Sequence, residues 1–117
     1  RSSPTLWNVA YLNKFFWDAH ASTLEEQLQG PLFAKDEMGN TPEQLLATLN
    51  EYDSYKQLFA QAFPKRKSKD SIKLHEIYTS LAAFESSLIS LNSRYDQYAH
   101  GYAKALNEKE IEGLNIF

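Results

Sequence analysis

The sequence predicts an all-α protein of four or five helices joined by irregular loops. Three observations carry this. Apolar residues recur at helical spacing through the second half of the chain, and three Ser/Thr/Asn–x–x–Glu/Gln segments stand where helices should begin. The third observation is negative: nothing alternates as paired strands would, and Gly and Pro number only 4 each. Short links between helices make a bundle-like packing the expected architecture.

Residues 2–21 show no clean period. Trp7, Tyr11, Phe15, Phe16 and Trp17 mark a packed, irregular segment with one short helix; its aromatics suit a core, the commoner case, or a stacking platform or redox path, and nothing local separates these. Ser22 to Glu25 reads as a capping box that starts a helix near Thr23, and Gly30-Pro31 reads as its stop. Residues 31–40 then form a loop. Thr41 to Gln44 is a second capping box with Pro42 at the first helical position, followed by the stripe Leu45, Leu46, Leu49 and Tyr52. Tyr55, Leu58, Phe59 and Phe63 make a further short helix that ends at Pro64. Lys65-Arg66-Lys67, closed by Asp70, reads as a solvated interhelical loop. Leu74, Ile77, Tyr78, Leu81, Phe84, Leu88 and Leu91 define the strongest helical stripe, and Ala82 and Ala83 allow close approach of a neighbour. Asn92 to His100 is a short helix stopped by Gly101. Asn107 to Glu110 caps a last helix.

Composition narrows the function. The 117 residues hold 43% hydrophobic residues and 23% charged residues, enough for a core and too apolar for a disordered tail. The net charge of −3 argues against a nucleic-acid binder, and no apolar run is long enough to span a membrane. There is no cysteine, which excludes disulfides, Cys-ligated metal and thioether-linked haem within these residues. The chain opens at Arg1 without an initiator Met and stops at Phe117 after an apolar stretch, so a piece of a longer protein is expected. His20, His75 and His100 share no ligand spacing and read as ordinary polar residues, so no metal ligand is assigned. Most carboxylates sit in helix first turns, where they suit the helix dipole. Glu37 differs, lying in a loop between the apolar run 31–34 and Met38-Gly39. A carboxylate against apolar neighbours can serve as a proton donor or acceptor; an exposed loop acid is the plain alternative.

Taken together, several motifs resemble one family. They are Ser3-Pro4-Thr5-Leu6-Trp7-Asn8, Phe16-Trp17-Asp18-Ala19-His20-Ala21, Leu24-Glu25-Glu26-Gln27, Gly30-Pro31 and Glu37-Met38-Gly39. In the second half they are the run from Leu81 to Ser90, Ser93-Arg94-Tyr95-Asp96-Gln97-Tyr98, and the run from Leu106 to Phe117. In this order they resemble the bacterial di-haem cytochrome c peroxidase family, which includes the MauG-like enzymes. The resemblance implies a helical stretch between two CxxCH haem-attachment motifs. Residues 1–92 would be the distal part of the peroxidatic haem domain, and 93–117 the connection and leading helix of the second haem domain.

The resemblance further implies a periplasmic enzyme with two haem c groups attached outside this chain. Hydrogen peroxide would be its substrate, a small c-type cytochrome or cupredoxin its electron donor, and a homodimer a compatible assembly. By motif, Glu37 matches the catalytic glutamate, which would move a proton from one peroxide oxygen to the other. Gln27 matches a glutamine that hydrogen-bonds bound peroxide or water. Trp17 matches a tryptophan between the two haems, an electron relay. The haem-ligating residues have no match here. Two departures stand out. The family's Trp-Asp-Gly-Arg-Ala reads Trp17-Asp18-Ala19-His20-Ala21, so a glycine's freedom is lost and a permanent charge becomes pH-dependent. Where the family has an Asn calcium ligand before Ser-Pro, this chain has Ser2. Two other readings of the chain are a MauG-like oxidase of a protein substrate and a haem-free helical interaction module, the latter separated by whether the full-length protein shows a Soret band.

Overall fold

The computed structural model describes residues 3–117; the Ser2 position of the calcium question lies outside them. Among the described residues there are six α-helices and two 3₁₀ turns. The helices are α1 (Leu24–Phe33), α2 (Pro42–Glu51), α3 (Asp53–Ala62), α4 (Leu74–Ser87), α5 (Arg94–Ala99) and α6 (Glu108–Ile116). The all-α expectation holds. The count exceeds the expected four or five, and Tyr52 leaves helical backbone (φ −101°, ψ 117°) between α2 and α3, where the sequence also separates two helices.

The caps follow from side-chain chemistry. Thr23, one residue later than expected, caps α1 by accepting from the Glu26 N–H, while the Glu26 carboxylate accepts from the Ser22 N–H. Thr41 caps α2 by accepting from the Gln44 N–H, with Pro42 just inside. Asn107 and Glu110 form the reciprocal pair at α6, as Ser93 and Asp96 do at α5.

Gly30-Pro31 does not end α1, which continues to Phe33. Pro31 has no N–H and so cannot bond the carbonyl of Gln27, but this falls in the last turn, where a missing bond costs least. The chain instead wraps back. The N–H groups of Met38 and Asn40 bond the carbonyls of Pro31 and Leu32, and those of Glu37 and Gly39 bond Ala34. Gly39 takes φ +59°, a conformation that glycine adopts without steric cost.

The core lies between α1, α4 and the N-terminal arm. Leu24, Leu28 and Leu32 repeat every four residues along one face of α1 and pack with Val9, Phe15, Ala21 and Ala82. The expected aromatic core of residues 7–17 is narrower than its sequence suggests: Phe15 is buried and Phe16 half-buried, while Trp7, Tyr11 and Trp17 face solvent. The α4 stripe is also shorter. The helix ends at Ser87, and Phe84 and Leu91 are exposed. Asn8 joins the arm to the segment after α4. It sits in the left-handed region (φ +61°), its N–H donates to Leu88 O at 2.8 Å, and its amide donates to Ser90 O and accepts from Ser90 N–H.

The α2–α3 excursion is pinned at its return. Asn50 holds both backbone groups of Ile72, accepting from its N–H at 2.7 Å and donating to its carbonyl. Arg66 departs from the solvated loop expected of Lys65-Arg66-Lys67. Its guanidinium is buried, donates to Glu76 Oε2 at 2.5 Å and to the carbonyls of Ser71 and Asp70, and lies over the Phe59 ring. A buried, paired arginine cannot be told from a solvated one by local composition.

The whole is not a compact bundle. It measures 60 × 32 × 20 Å with a radius of gyration of 19.9 Å. A compact domain of this length would have about 13 Å. The α5–α6 end is held by its own contacts: Arg94 grips Glu110 through two bonds of 2.6 Å and donates to Ala105 O. None of the helices is long and apolar enough among the described residues to cross a membrane.

Candidate functional site

The three residues singled out from the sequence line one cavity of about 1000 Å³. Its walls are the arm (Pro4, Leu6, Val9), the loop 14–20, one face of α1 and the C-terminal part of α4. Gln27 and Pro31 are four residues apart and so share a strip of α1 that runs beside the Leu24–Leu28–Leu32 core stripe. Glu37 reaches the rim because the backbone after α1 folds back on the last turn through the four N–H bonds described above. Its side chain is exposed at this rim, against the reading of a carboxylate held among apolar neighbours. The wrapped backbone, rather than burial, sets its position.

Trp17 lies across the cavity and is 89% exposed. It stands on a short excursion closed by the Phe15–Ala21 bridge. Within that excursion Phe16 has φ +64° and Ala19 φ +59°. Holding a residue with a Cβ in this region costs about 1–2 kcal/mol. At position 19 the backbone thus keeps the conformation a glycine would favour although the glycine is gone. His20 stacks on Phe16, with ring centroids 4.2 Å apart and planes within 10°, and its Nδ1 lies 2.5 Å from Asp18 Oδ1. The hydrogen bond to His20 holds the Asp18 carboxyl below its ordinary value. Phe16 in turn abuts Gly30: a Cβ there would come within 2.9 Å of the Phe16 ring tip. Gly30, read from the sequence as a helix stop, instead makes room for this ring.

One residue of the cavity escaped the reading of the residues as a site. Glu85, on α4, lines the cavity, and its Oε2 is buried with no hydrogen-bond partner. Burial raises its carboxyl above the ordinary 4.5. Its position in an apolar helical run offered no signal, because burial without a partner is a property of tertiary packing. No group of three or more His, Cys, Asp or Glu side chains suited to hold a metal ion is present among the described residues.

The cavity lies between the arm, the loop 14–20, α1 and α4, and carboxyl, amide and imidazole side chains stand among its apolar lining residues. The family model for di-haem cytochrome c peroxidase matches residues 1–104, and the chain belongs to that family. It is 33% identical over 117 residues to cytochrome c551 peroxidase of Pseudomonas aeruginosa, covering all of this chain and 33% of that protein. It is 34% identical to the methylamine utilization protein MauG of Methylophilus methylotrophus, covering all of this chain and 34% of that protein. Among solved structures, a MauG-like protein associated with microbial copper homeostasis aligns with a TM-score of 0.85 and 30% identity, over 98% of this chain and 34% of the other. The chain therefore spans about a third of the length of the relatives it matches.

Proposed function

We propose that the full-length protein is a di-haem peroxidase that reduces hydrogen peroxide to water in the periplasm, with electrons from a small redox protein. The observation that carries this is the convergence of Gln27, Glu37 and Trp17 on one apolar cavity in a chain of this family. In this reading residues 1–92 belong to the peroxidatic haem domain and 93–117 to the connection and leading helix of the second.

The residues present fit a haem. The cavity is large, and Leu6, Val9, Phe15 and Phe16 give it an apolar wall among its polar lining residues. With no cysteine in the chain, covalent attachment falls to other parts of the protein. Bound there, a haem supplies the redox centre at which peroxide takes up electrons.

The protein's part is positioning and proton handling. The Gln27 side-chain amide can donate to one peroxide oxygen and accept from the other's proton, fixing the substrate at the α1 face. Glu37 takes a proton from one oxygen and returns it to the other, so that the bond breaks toward water rather than toward a costly oxyanion. Its exposed position lets it exchange protons with solvent between turnovers. The apolar walls exclude water from the rest of the pocket. Trp17 passes electrons in this reading, and its exposure at the edge of the same cavity supports that role.

The test is Glu37→Gln in the full-length, haem-loaded protein. Peroxide turnover should fall about a hundred-fold or more with haem content unchanged. Wild-type turnover in that variant removes Glu37 from the mechanism.

A further inference from the structure

Peroxide reduction has a proton requirement that Glu37 alone does not meet. Splitting one hydrogen peroxide into two waters breaks the O–O bond and consumes two electrons and two protons. Passing a proton from one oxygen to the other rearranges a proton the substrate already has. The two consumed protons must enter from solvent.

Glu85 is placed to carry them. It projects from α4 into the cavity that Gln27 and Glu37 line. One carboxyl oxygen is sealed from solvent and meets no donor. A charged oxygen in that state loses its hydration without replacement, which shifts the balance toward the protonated form. The side chain as a whole is only half-buried, which leaves a route for reprotonation.

The other ionisable groups on the cavity wall are engaged or stand at its rim. Lys14 donates to Ser22 Oγ, Asp18 and His20 pair with each other, and Glu37 stands at the exposed mouth. On α1, Glu26 accepts from the Ser22 N–H, and Glu25 opens onto a separate cleft of about 380 Å³. No cation among these is placed to ionise Glu85 by pairing.

We propose that Glu85 is a second proton-carrying carboxyl of this cavity, holding a proton at neutral pH and delivering it to the pocket served by Glu37. This rests on the peroxidase reading.

The experiment compares full-length, haem-loaded wild type, Glu85→Gln and Glu37→Gln by infrared spectroscopy and by the pH profile of kcat. Wild type should show a protonated-carboxyl band at neutral pH that is lost in Glu85→Gln and kept in Glu37→Gln. Glu85→Gln should lower kcat about ten-fold, a smaller loss than direct acid–base groups give. It should also remove the decline of kcat as pH rises through the Glu85 titration. A carboxylate already ionised at neutral pH in wild type, as pairing with another part of the full-length protein would produce, overturns the proposal, as does an unaltered pH profile in Glu85→Gln. If Glu85→Gln does not take up haem, the band in the Glu37→Gln protein decides alone. Absence of peroxide turnover in wild type defeats the peroxidase reading instead, and the infrared band still reports separately on whether Glu85 holds its proton.

Discussion

Two glutamates on α4 share a helix and differ in almost everything else. Glu76 and Glu85 are nine residues apart, which places them about 180° apart around the helix axis. Glu76 is 6% exposed, and its Oε2 accepts twice, from the Lys73 N–H at 2.8 Å and from the Arg66 guanidinium. Burial pushes its pKa up, but the Lys73 N–H and Arg66 outweigh that and hold it below the ordinary 4.5. Glu85 is less buried, yet one oxygen has no partner and its pKa goes up. Burial alone therefore does not mark a functional carboxylate. Burial with partners makes a structural tie, and burial without them makes a group ready to hold a proton.

The same division runs through the surrounding structure. Around Glu76, Asn50 and Arg66 satisfy the backbone of residues 70–72 and close the α2–α3 excursion. Around the cavity, Phe16 and Ala19 hold left-handed backbone and Trp17 stands in solvent. Each end keeps one buried polar atom without a partner, Arg66 Nε at one and Glu85 Oε2 at the other, but only at the cavity end is that atom a carboxyl oxygen beside left-handed backbone.

The largest test of this contrast is Arg66→Met. It strands the Glu76 charge in a buried site and should destabilise the full-length protein by about 3–5 kcal/mol in urea unfolding. A loss no larger than that of an exposed ion pair would show that Glu76 is not held as described. A smaller effect of opposite sign is expected at the cavity. Ala19→Gly relieves the left-handed backbone at φ +59° and should stabilise by about 0.5–1 kcal/mol after the added freedom of the unfolded chain is counted. A stability loss there would mean the strain is absent.

The finest test is the pH dependence of stability. The Glu76 contribution, from a lowered pKa, is full above 4.5 and is lost as pH falls through its depressed value. That of Glu85, from a raised pKa, is full below 4.5 and is lost as pH rises through its elevated value. Arg66→Met should flatten the acid side of the stability profile, and Glu85→Gln the side above 4.5. Identical profiles for the two variants would erase the distinction between the two ends of α4.

Much of this was legible in the chain. Thr41-Pro42 and Asn107–Glu110 place two helix starts through contacts within three or four residues. The ordered motifs identify the family and single out Glu37, Gln27 and Trp17, and those residues do share a cavity. Where the sequence misled, the deciding contact was distant or the backbone adjusted. Pro31 stays helical because its lost bond falls in the final turn, and Gly30 serves Phe16, fourteen residues away, rather than a helix end.

Local sequence settles what local energies settle: helix type and the caps at Thr41 and Asn107. Only the tertiary structure decided that Arg66 is buried, that Phe84 is exposed, and that Glu76 is satisfied while Glu85 is not. The free energy of a charge depends on the donors and solvent around it, and packing brings those from residues far apart in the chain.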